Sequence, residues 1–492
     1  MQRTDTTNPA YFHKVVDCQW ACPAHTPVPE YIRMITQGRY SDAYMINWVS
    51  NVFPGILGRT CDRPCEPACR RGRVEDKNLA APEPVAICRL KRVTADFKDE
   101  DDVASRMPKI APPNGRRVVC VGAGPASLTV ARDLAPLGYE VTVYDSEAKA
   151  GGFMWTQIPR FRLPETVIDE ETGYILNMGV KFEANKRIES MQWLMGQGYD
   201  AIFVGCGAPR GRDLDMPGRK EAAKHIHIGI EWLASVSFGH VDKIGKRVIV
   251  LGGGNTAMDC CRSARRLGGE DVKVIVRSGF EEMKASPWEK EDAMHEGIPI
   301  INFHVPKAFV HENGVLTGMT FEVVRAEYDD KGNRKLVPTG EPDPFFPCDE
   351  VLVAVGQENA FPWIERDCGI TFDKWGLPVL HKDTMQSTMP NVFFGGDSAF
   401  GPKNIITAVA HGHEAAVSID KLLNGEDPAH RPAPFANLVS QKMGIHEWSY
   451  HNETSNDIRF KVPWQKAELA LKSIKVEVEL GFDVNTALKE AQ

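Results

Sequence analysis

Six cysteines stand within the first 88 residues of this 492-residue chain, and two glycine-rich loops follow them. The cysteines are Cys18, Cys22, Cys61, Cys65, Cys69 and Cys88. Cys61-x3-Cys65-x3-Cys69 is a compact triplet, and Cys18-x3-Cys22 supplies two more thiols. Thiolates so spaced suit a cubane iron–sulfur cluster, which takes four. Zinc is the rival reading, but its usual cysteine pairs are separated by two residues and these by three. Purely structural thiols are the plainer account. Iron is preferred mostly because a flavin-type loop follows.

The first loop is Gly122-Ala123-Gly124-Pro125-Ala126-Ser127, after the apolar run 118–121. Gly122 allows a tight turn, and Gly124 lets a pyrophosphate approach the backbone. The next helix offers its first amides to that anion. Ser127 replaces a third glycine, so helix and strand pack more loosely than the pattern asks. Asp145 follows Gly122 by 23 positions and ends the second strand, where a carboxylate grips ribose hydroxyls. It would repel a 2′-phosphate, which favours FAD or NAD. Chance glycines in a strand–turn–helix are the alternative.

The second loop is Gly252-Gly253-Gly254-Asn255-Thr256-Ala257, after 248–251. Its second strand ends at Arg277, which can pair with a 2′-phosphate or stack on adenine. Ser278 follows, and Lys284 offers another cation. A solvated strand-end charge is the plainer account of Arg277, and NAD versus NADP stays open. Farther on, Gly395-Gly396-Asp397 closes a strand ahead of a Gly/Ala-rich helix, 405–417. A carboxylate there could hold the ribityl hydroxyls of a flavin, and the helix N-terminus could steady negative charge on the reduced ring. His411 and His413 are candidate proton donors or ordinary helix-surface residues. No Cys-x4-Cys redox pair flanks Gly151-Gly152.

These groups need a scaffold. Residues 1–110 hold the clustered cysteines, several prolines and short helical stretches at 28–35 and 41–49. The charged run 98–102 and residues 108–115 read as a linker. A strand–helix–strand pattern occupies 117–121, 125–137 and 140–144, and returns at 247–251, 256–267 and 272–276. Further strands are expected at 201–204, 351–355 and 392–394. Alternation of this kind implies parallel sheets. The expected fold is α/β, with two Rossmann-like dinucleotide-binding domains behind a cysteine-rich N-terminal segment. The NAD(P) domain, 236–355, interrupts an FAD domain made of 111–235 and 356–428. Residues 1–110 form the head and 429–492 a tail, helical at 463–472 and 484–491.

Composition narrows the setting. Apolar residues make up 42% of the chain, enough for real cores, and the formal net charge is -8. With no basic block, nucleic acid is not an expected partner. No stretch approaches the roughly 20 apolar residues of a membrane span. The start, Met1-Gln2-Arg3-Thr4-Asp5, lacks the apolar core of a signal peptide. The chain reads as cytoplasmic, where disulfides are disfavoured. The later cysteines, Cys120, Cys206, Cys260, Cys261, Cys348 and Cys368, mostly read as core.

Taken together, the stretches 18–23, 61–69 and 84–87, the two glycine loops, 158–164 and Gly395-Gly396-Asp397 resemble a known family. It comprises the small subunit of glutamate synthase and the N-terminal half of dihydropyrimidine dehydrogenase, and the similarity covers nearly the whole chain. The resemblance implies an N-terminal all-helical Fe–S domain, with FAD on Gly122–Ala126, on 145–153 with Asp145, Gly151, Gly152 and Phe153, and on Arg162, Gly396, Asp397 and Ile405. It implies NAD(P)H on Gly253, Gly254, Asn255, Thr256, Arg277, Ser278, Lys284 and near Gly356. One [4Fe–4S] cluster takes residues matching Cys22, Cys61, Cys65 and Cys69. A second takes the match of Cys18, an upstream Cys-x2-Cys pair, and a Glu or Gln matching Lys91. This chain has no upstream pair, and an ammonium group cannot be that ligand. Cys88, three residues before Lys91, is the candidate substitute. The chain stops at Lys489-Glu490-Ala491-Gln492 without a glycine cap, which leaves room for a continuation.

The expected activity is that of a diaphorase subunit. Hydride passes between NAD(P)H and FAD, and single electrons pass through [4Fe–4S] to or from a ferredoxin or another redox subunit, within a hetero-oligomer. No catalytic acid or base is required for hydride transfer. The alternatives are a glutamate synthase small subunit and a non-catalytic docking protein stapled by its cofactors.

Overall fold

The structure, a computed structural model, describes residues 16–73, 83–431 and 459–492. The expected weak structure of the early tail, 432–458, lies outside the described residues. Two five-stranded parallel sheets carry the two glycine loops. The first joins β1 (Arg117–Val121), β2 (Glu140–Tyr144), β3 (Lys181–Glu183), β4 (Ala201–Val204) and β16 (Val392–Phe394), in the order β16-β4-β1-β2-β3. The strand β5 (Arg210–Gly211) leads away toward the second sheet. That sheet holds β6 (Ile226–Ile228), β7 (Arg247–Leu251), β8 (Asp271–Ile275), β9 (Ile300–Ile301) and β14 (Glu350–Val353), in the order β6-β14-β7-β8-β9. Strands 1, 4 and 7 are almost wholly buried, as expected of near-continuous Val/Ile runs covered on both faces.

The second sheet recruits Ile226–Ile228, ahead of the expected boundary at 236, because β6 pairs in parallel with β14. A separate antiparallel sheet of β10 (His304–Glu312), β11 (Val315–Tyr328), β12 (Arg334–Pro338) and β13 (Phe345–Pro347) was not legible from the βαβ pattern. The two crossings between sheets meet where β15 (Gln357–Glu358) pairs with β5. The charged run 98–102, expected to be linker, starts a helix instead. Asp99 Oδ1 accepts from Asp102 N at 2.9 Å, and acids fill the first turn of Glu100–Ser105. A capping carboxylate and N-terminal acids both favour that turn.

The described part of the head is helical: Asp17–Ala21, Val28–Thr36, Tyr40–Asn51, Pro54–Thr60 and Ile87–Asp96. Val28, Tyr31, Ile35, Ile87 and Leu90 cluster with Phe482 and Ala487 of the tail, and the rest of its apolar side is shared with the first sheet layer. Trp48, Val52, Phe53, Ile56 and Leu57 pack in one cluster with Val118, Leu128, Val130 and Leu134 of the first sheet layer. Polar bonds fix the same seam. Buried Glu171 accepts from Gly55 N (2.6 Å), Ile56 N (2.9 Å) and Tyr44 Oη (2.9 Å). The tail returns to the head, where Glu477 meets Arg59 and Arg92, each at 2.9 Å. The helix Val484–Ala491 lies against Val28–Thr36 and Ile87–Asp96.

Candidate functional site

The first loop turns directly from β1 into the helix Pro125–Leu134, with Pro125 at its first position. Proline is preset for that position and lacks the amide that would go unpaired there. At Gly122, φ is +92° and an added Cβ would lie 2.7 Å from Gly205 O. Only glycine fits against β4 at that point. A second glycine pair closes on the loop from outside: Gly151 N donates to Ala123 O at 2.8 Å, and a Cβ on Gly152 would lie 2.8 Å from Gly124 Cα. A Cβ on Gly124 would meet only Gly205 O, at 3.7 Å, an ordinary contact. Gly122–Ala126, Gly151, Gly152 and Phe153 are therefore gathered into one cradle of bare backbone, which fits a pyrophosphate.

Asp145 ends β2 beside this cradle. Its Oδ2 accepts from Ala123 N at 2.6 Å and its Oδ1 from Glu147 N at 2.8 Å. Burial pushes its carboxyl upward, against those two bonds. The side chain thus locks the loop and has lone pairs left for a ribose. Asp397 opens the turn Asp397–Phe400; its Oδ1 accepts from Lys403 N at 2.9 Å, and burial raises it as well. Asn359, which the sequence reading missed, donates to Asp397 O at 2.9 Å. Gly396 packs on Ala126, and Ile405 begins the helix Ile405–Leu423 under an Asn404 side-chain cap. Gly396, Asp397 and Ile405 are thereby brought to the first cradle.

The second cradle has the same plan. Gly252 N donates to Ile275 O, and Ala285 N donates to Gly253 O at 2.9 Å. Asn255 Oδ1 accepts from Ser286 N at 2.9 Å, drawing the segment that holds Lys284 over the loop. Gly254 has open space, with Asn255 and Thr256 heading the helix Asn255–Arg266. Arg277 and Lys284 are exposed, and neither has an ion pair among the described residues. The Ser278 carbonyl accepts from Asn302 Nδ2 at 2.9 Å. Gly356 follows β14, its carbonyl accepting from Arg212 N at 3.0 Å.

Arg162 is placed differently. Its guanidinium pairs with Asp259 (2.6 Å) and with Glu289, on helices of the second sheet layer. Arg262 adds Asp292 at 3.0 Å and Glu296 at 2.9 Å, and Arg63 of the head lies over Trp288 at 3.9 Å. Head, both sheet layers and tail converge on a cavity of about 20 Å³ here, lined by Arg63, Arg162, Arg262, Asp292 and Glu479 among others. Burial raises Asp292 to about 7 and Asp259 to about 6, despite the arginines. The sequence carried a signal for this junction: acids at 289, 292 and 296 share one face of a helix.

Cys22, Cys61, Cys65 and Cys88 are buried, while Cys18 and Cys69 are half-buried. Cys22 and Cys61 close the ends of Asp17–Ala21 and Pro54–Thr60. Cys61 chiefly lowers the Cys88 thiol, to about 7, while Cys88 and burial raise Cys61. Cys18 is raised to about 11 by burial and then by Cys69. Among the described residues no three His, Cys, Asp or Glu are spaced for a single metal ion. A cubane presents four irons and separates its thiolates more widely than one ion does, so buried thiols on three converging segments fit it.

His411 and His413 are not alike. Burial drives His411 down to about 4, so it is neutral near pH 7. His413 bridges Asp133 and the Ser50 carbonyl.

Two family descriptions match the chain. Residues 116–412 match pyridine nucleotide-disulphide oxidoreductase, and residues 11–103 match dihydropyrimidine dehydrogenase domain II, 4Fe-4S cluster. The NADP(+)-dependent formate dehydrogenase subunit beta of Moorella thermoacetica is 34% identical over 96% of this chain and 69% of its own length. The NADPH-Fe(3+) oxidoreductase subunit beta of Geobacter sulfurreducens is 31% identical over 99% and 77%. The glutamate synthase [NADPH] small chain of Escherichia coli is 30% identical over 82% and 87%. Among solved structures, Mycobacterium tuberculosis FprA in complex with NADPH superposes with a TM-score of 0.54 at 16% identity, over 64% of this chain and 85% of that one. It supports the fold alone.

Proposed function

Because the chain belongs to the pyridine nucleotide-disulphide oxidoreductase family and carries an N-terminal 4Fe-4S domain of the dihydropyrimidine dehydrogenase type, we propose that it is the diaphorase subunit of a larger redox assembly. It is an NAD(P)H-dependent oxidoreductase that binds FAD, NAD(P)H and a 4Fe–4S cluster. FAD, when bound, takes a hydride from NAD(P)H and releases electrons one at a time to an iron–sulfur centre. The chain supplies placement. Backbone amides at 122–126 hold one pyrophosphate, Asp145 fixes that loop, and Asp397 holds the ribityl side. The loop 252–257 and Arg277 hold the nicotinamide coenzyme.

One observation carries this reading: Cys22, Cys61 and Cys88 share a continuous core with Ala123 and Ala126 of the first loop. A head packed this way holds its thiols at a fixed place relative to the flavin cradle, which suits electron transfer. The acceptor or donor is proposed to be a ferredoxin or a partner redox subunit. A cytoplasmic location belongs to the same proposal, since free thiols need a reducing compartment. Among the described residues no helix is long and apolar enough to cross a membrane. The glutamate synthase small-subunit reading stays in play through the 30% identical Escherichia coli relative.

Anaerobic titration with NADH and then NADPH tests the proposal, followed by visible absorbance and EPR. Flavin bleaching, then a reduced-cluster signal that ferredoxin reoxidises, is expected. A flavin that stays oxidised under excess NADH and NADPH ends the diaphorase reading. Glutamate formation with a glutamate synthase large subunit, and no ferredoxin reoxidation, selects the other assembly.

A further inference from the structure

Arg63 is a buried cation with no carboxylate partner among the described residues. It stands between Cys61 and Cys65, at φ +56° and 7% exposure. Its backbone is committed to the cysteine turn: Arg63 N donates to Cys61 Sγ at 3.4 Å, and Arg63 O accepts from Glu66 N at 3.0 Å. Its guanidinium makes no ion pair or hydrogen bond among the described residues, and its Nε is fully buried. A buried charge is costly unless something compensates it. What faces this one is the ring of Trp288, whose centre lies 3.9 Å from the guanidinium carbon. Tryptophan offers the best face for such a cation, and the attraction grows as water is excluded.

Trp288 belongs to another part of the molecule. It is the second residue of the helix Pro287–His295, which lies against the helix Asn255–Arg266 behind the second glycine loop. The residues just ahead of it hold that loop: Ala285 N donates to Gly253 O and Ser286 N to Asn255 Oδ1, each at 2.9 Å. The residue just after it, Glu289, takes the Arg162 guanidinium of the flavin side. The stretch 285–289 thus touches the coenzyme loop, the cysteine-rich head and the flavin segment at once. The two sheet layers are tied without Arg63, because Arg162 and Asp259 pair at 2.6 Å. What Arg63 adds is a contact from the cysteine turn to the stretch that shapes the coenzyme loop.

Resting on the coenzyme and iron–sulfur sites proposed above, we propose that Arg63 and Trp288 form a clasp by which the head positions the coenzyme segment 284–288, so that Arg63 is a positioning residue for nucleotide binding. Donors to a ligating sulfur respond to the charge on its metal centre. Negative charge arriving at the Cys61 sulfur strengthens the bond from Arg63 N, and the same residue sits on Trp288, two positions from Ser286. Coenzyme affinity and the redox state of the head are then linked. The linkage is reciprocal: the factor by which reduction changes nucleotide affinity equals the factor by which the nucleotide changes the reduction equilibrium.

The test uses the full chain, loaded anaerobically with FAD and iron. The probes are ADP-ribose and its 2′-phosphate, which carry the adenosine end and pyrophosphate of the coenzymes but no nicotinamide, so no hydride can move. Calorimetry on the oxidised protein gives their affinities. An EPR-monitored redox titration, with and without the tighter-binding probe, gives the midpoint potential of the iron–sulfur signal. The probe is expected to shift that potential in the unsubstituted protein, in step with an affinity change on reduction of about fivefold or more. Arg63→Ala is expected to weaken the probe about tenfold and to remove the shift, with FAD and iron retained, and Arg63→Lys to restore part of both. A potential that the probe does not move in the unsubstituted protein, or an Arg63→Ala protein that keeps either the affinity or the shift, overturns the clasp. Should Arg63→Ala lose FAD or iron, the other partner decides: Trp288→Leu is expected to lose the shift and Trp288→Phe to keep it, and equal behaviour of the two overturns the clasp. If neither probe binds the unsubstituted protein, or it holds no iron, the coenzyme or the iron–sulfur reading itself falls and the clasp with it, a result distinct from every variant outcome.

Discussion

Arg162 reaches out of the flavin-side segment to Asp259 on the helix behind the second glycine loop, at 2.6 Å, with both side chains nearly buried. Glu289 takes the other side of the same guanidinium. The resemblance implies a flavin contact for Arg162, whereas the structure uses it as a tie between the two sheet layers. Removing one partner of a buried pair typically costs about 3–5 kcal/mol, because the other charge is stranded. Arg162→Ala is thus expected to lower the thermal midpoint sharply, and Arg162→Met with Asp259→Leu to recover much of it. Differential scanning calorimetry of the flavin-loaded protein reads this. An unchanged midpoint together with lost FAD would return Arg162 to the flavin site.

Asp397 stands at the entrance of the Gly/Ala-rich helix with one oxygen engaged by Lys403 N. Its other oxygen is available to a ribityl hydroxyl. A hydrogen bond to a charged group contributes about 1.5–3 kcal/mol, or roughly ten- to hundred-fold in affinity. Asp397→Ala should release FAD at concentrations where the unsubstituted protein retains it, with nicotinamide binding unchanged. Equilibrium dialysis of the apoprotein against FAD measures it. Equal flavin affinity in the two proteins would remove Asp397 from the site.

Coenzyme choice rests on the exposed end of β8. Arg277 makes no ion pair among the described residues, which leaves its guanidinium for an adenosine 2′-phosphate or for stacking. Ser278 beside it adds no charge. Ser278→Arg is expected to raise the ratio of kcat/KM for NADPH over NADH, by about tenfold if the new cation gains a charge-assisted bond worth about 1.5 kcal/mol. Steady-state rates with an artificial acceptor give the ratio, and no change would place Ser278 outside the coenzyme site.

Much of this arrangement was legible because local chemistry dictates it. The turn at Gly122 and the carboxylate at Asp145 stand at fixed offsets from a strand, so spacing alone located them. The third wall of the cradle, Gly151-Gly152, followed from resemblance and is explained by the Gly152–Gly124 approach. Spacing failed where the partner is distant in sequence. The triplet Cys61, Cys65 and Cys69 looks like a unit on paper, but its members divide between two clusters: Cys61 packs with Cys22 and Cys88, while Cys65 and Cys69 pack with Cys18. Arg162 and Asp259 are 97 positions apart, and nothing local announces that pair. The antiparallel sheet around Phe321 was hidden because its strands only partly alternate.

His413 joins the flavin-side helix to the head. Its Nδ1 lies 2.5 Å from Asp133 Oδ2, and its Nε2 lies 2.9 Å from Ser50 O. Both partners only accept, so both ring nitrogens carry protons and the imidazole is charged. Burial alone would lower its pKa, but the Asp133 carboxylate outweighs that and raises it, while Arg132, paired to the same aspartate at 2.6 Å, opposes the rise. The sign follows from linkage. A histidine raised in the folded state contributes stability that is complete below its unfolded value, about 6.5, and is lost as pH climbs through the raised native value. Asp133 is lowered, so its share is present above the ordinary carboxylate range and is lost on acidification. Docking of the head is therefore expected to be firmest between those limits and to weaken on the alkaline side. His413→Gln keeps the shape, removes the charge and should abolish the alkaline limb. Limited proteolysis of the head from pH 5 to pH 9 compares the two proteins. Cleavage that rises equally with pH in both would show that another group governs the limb.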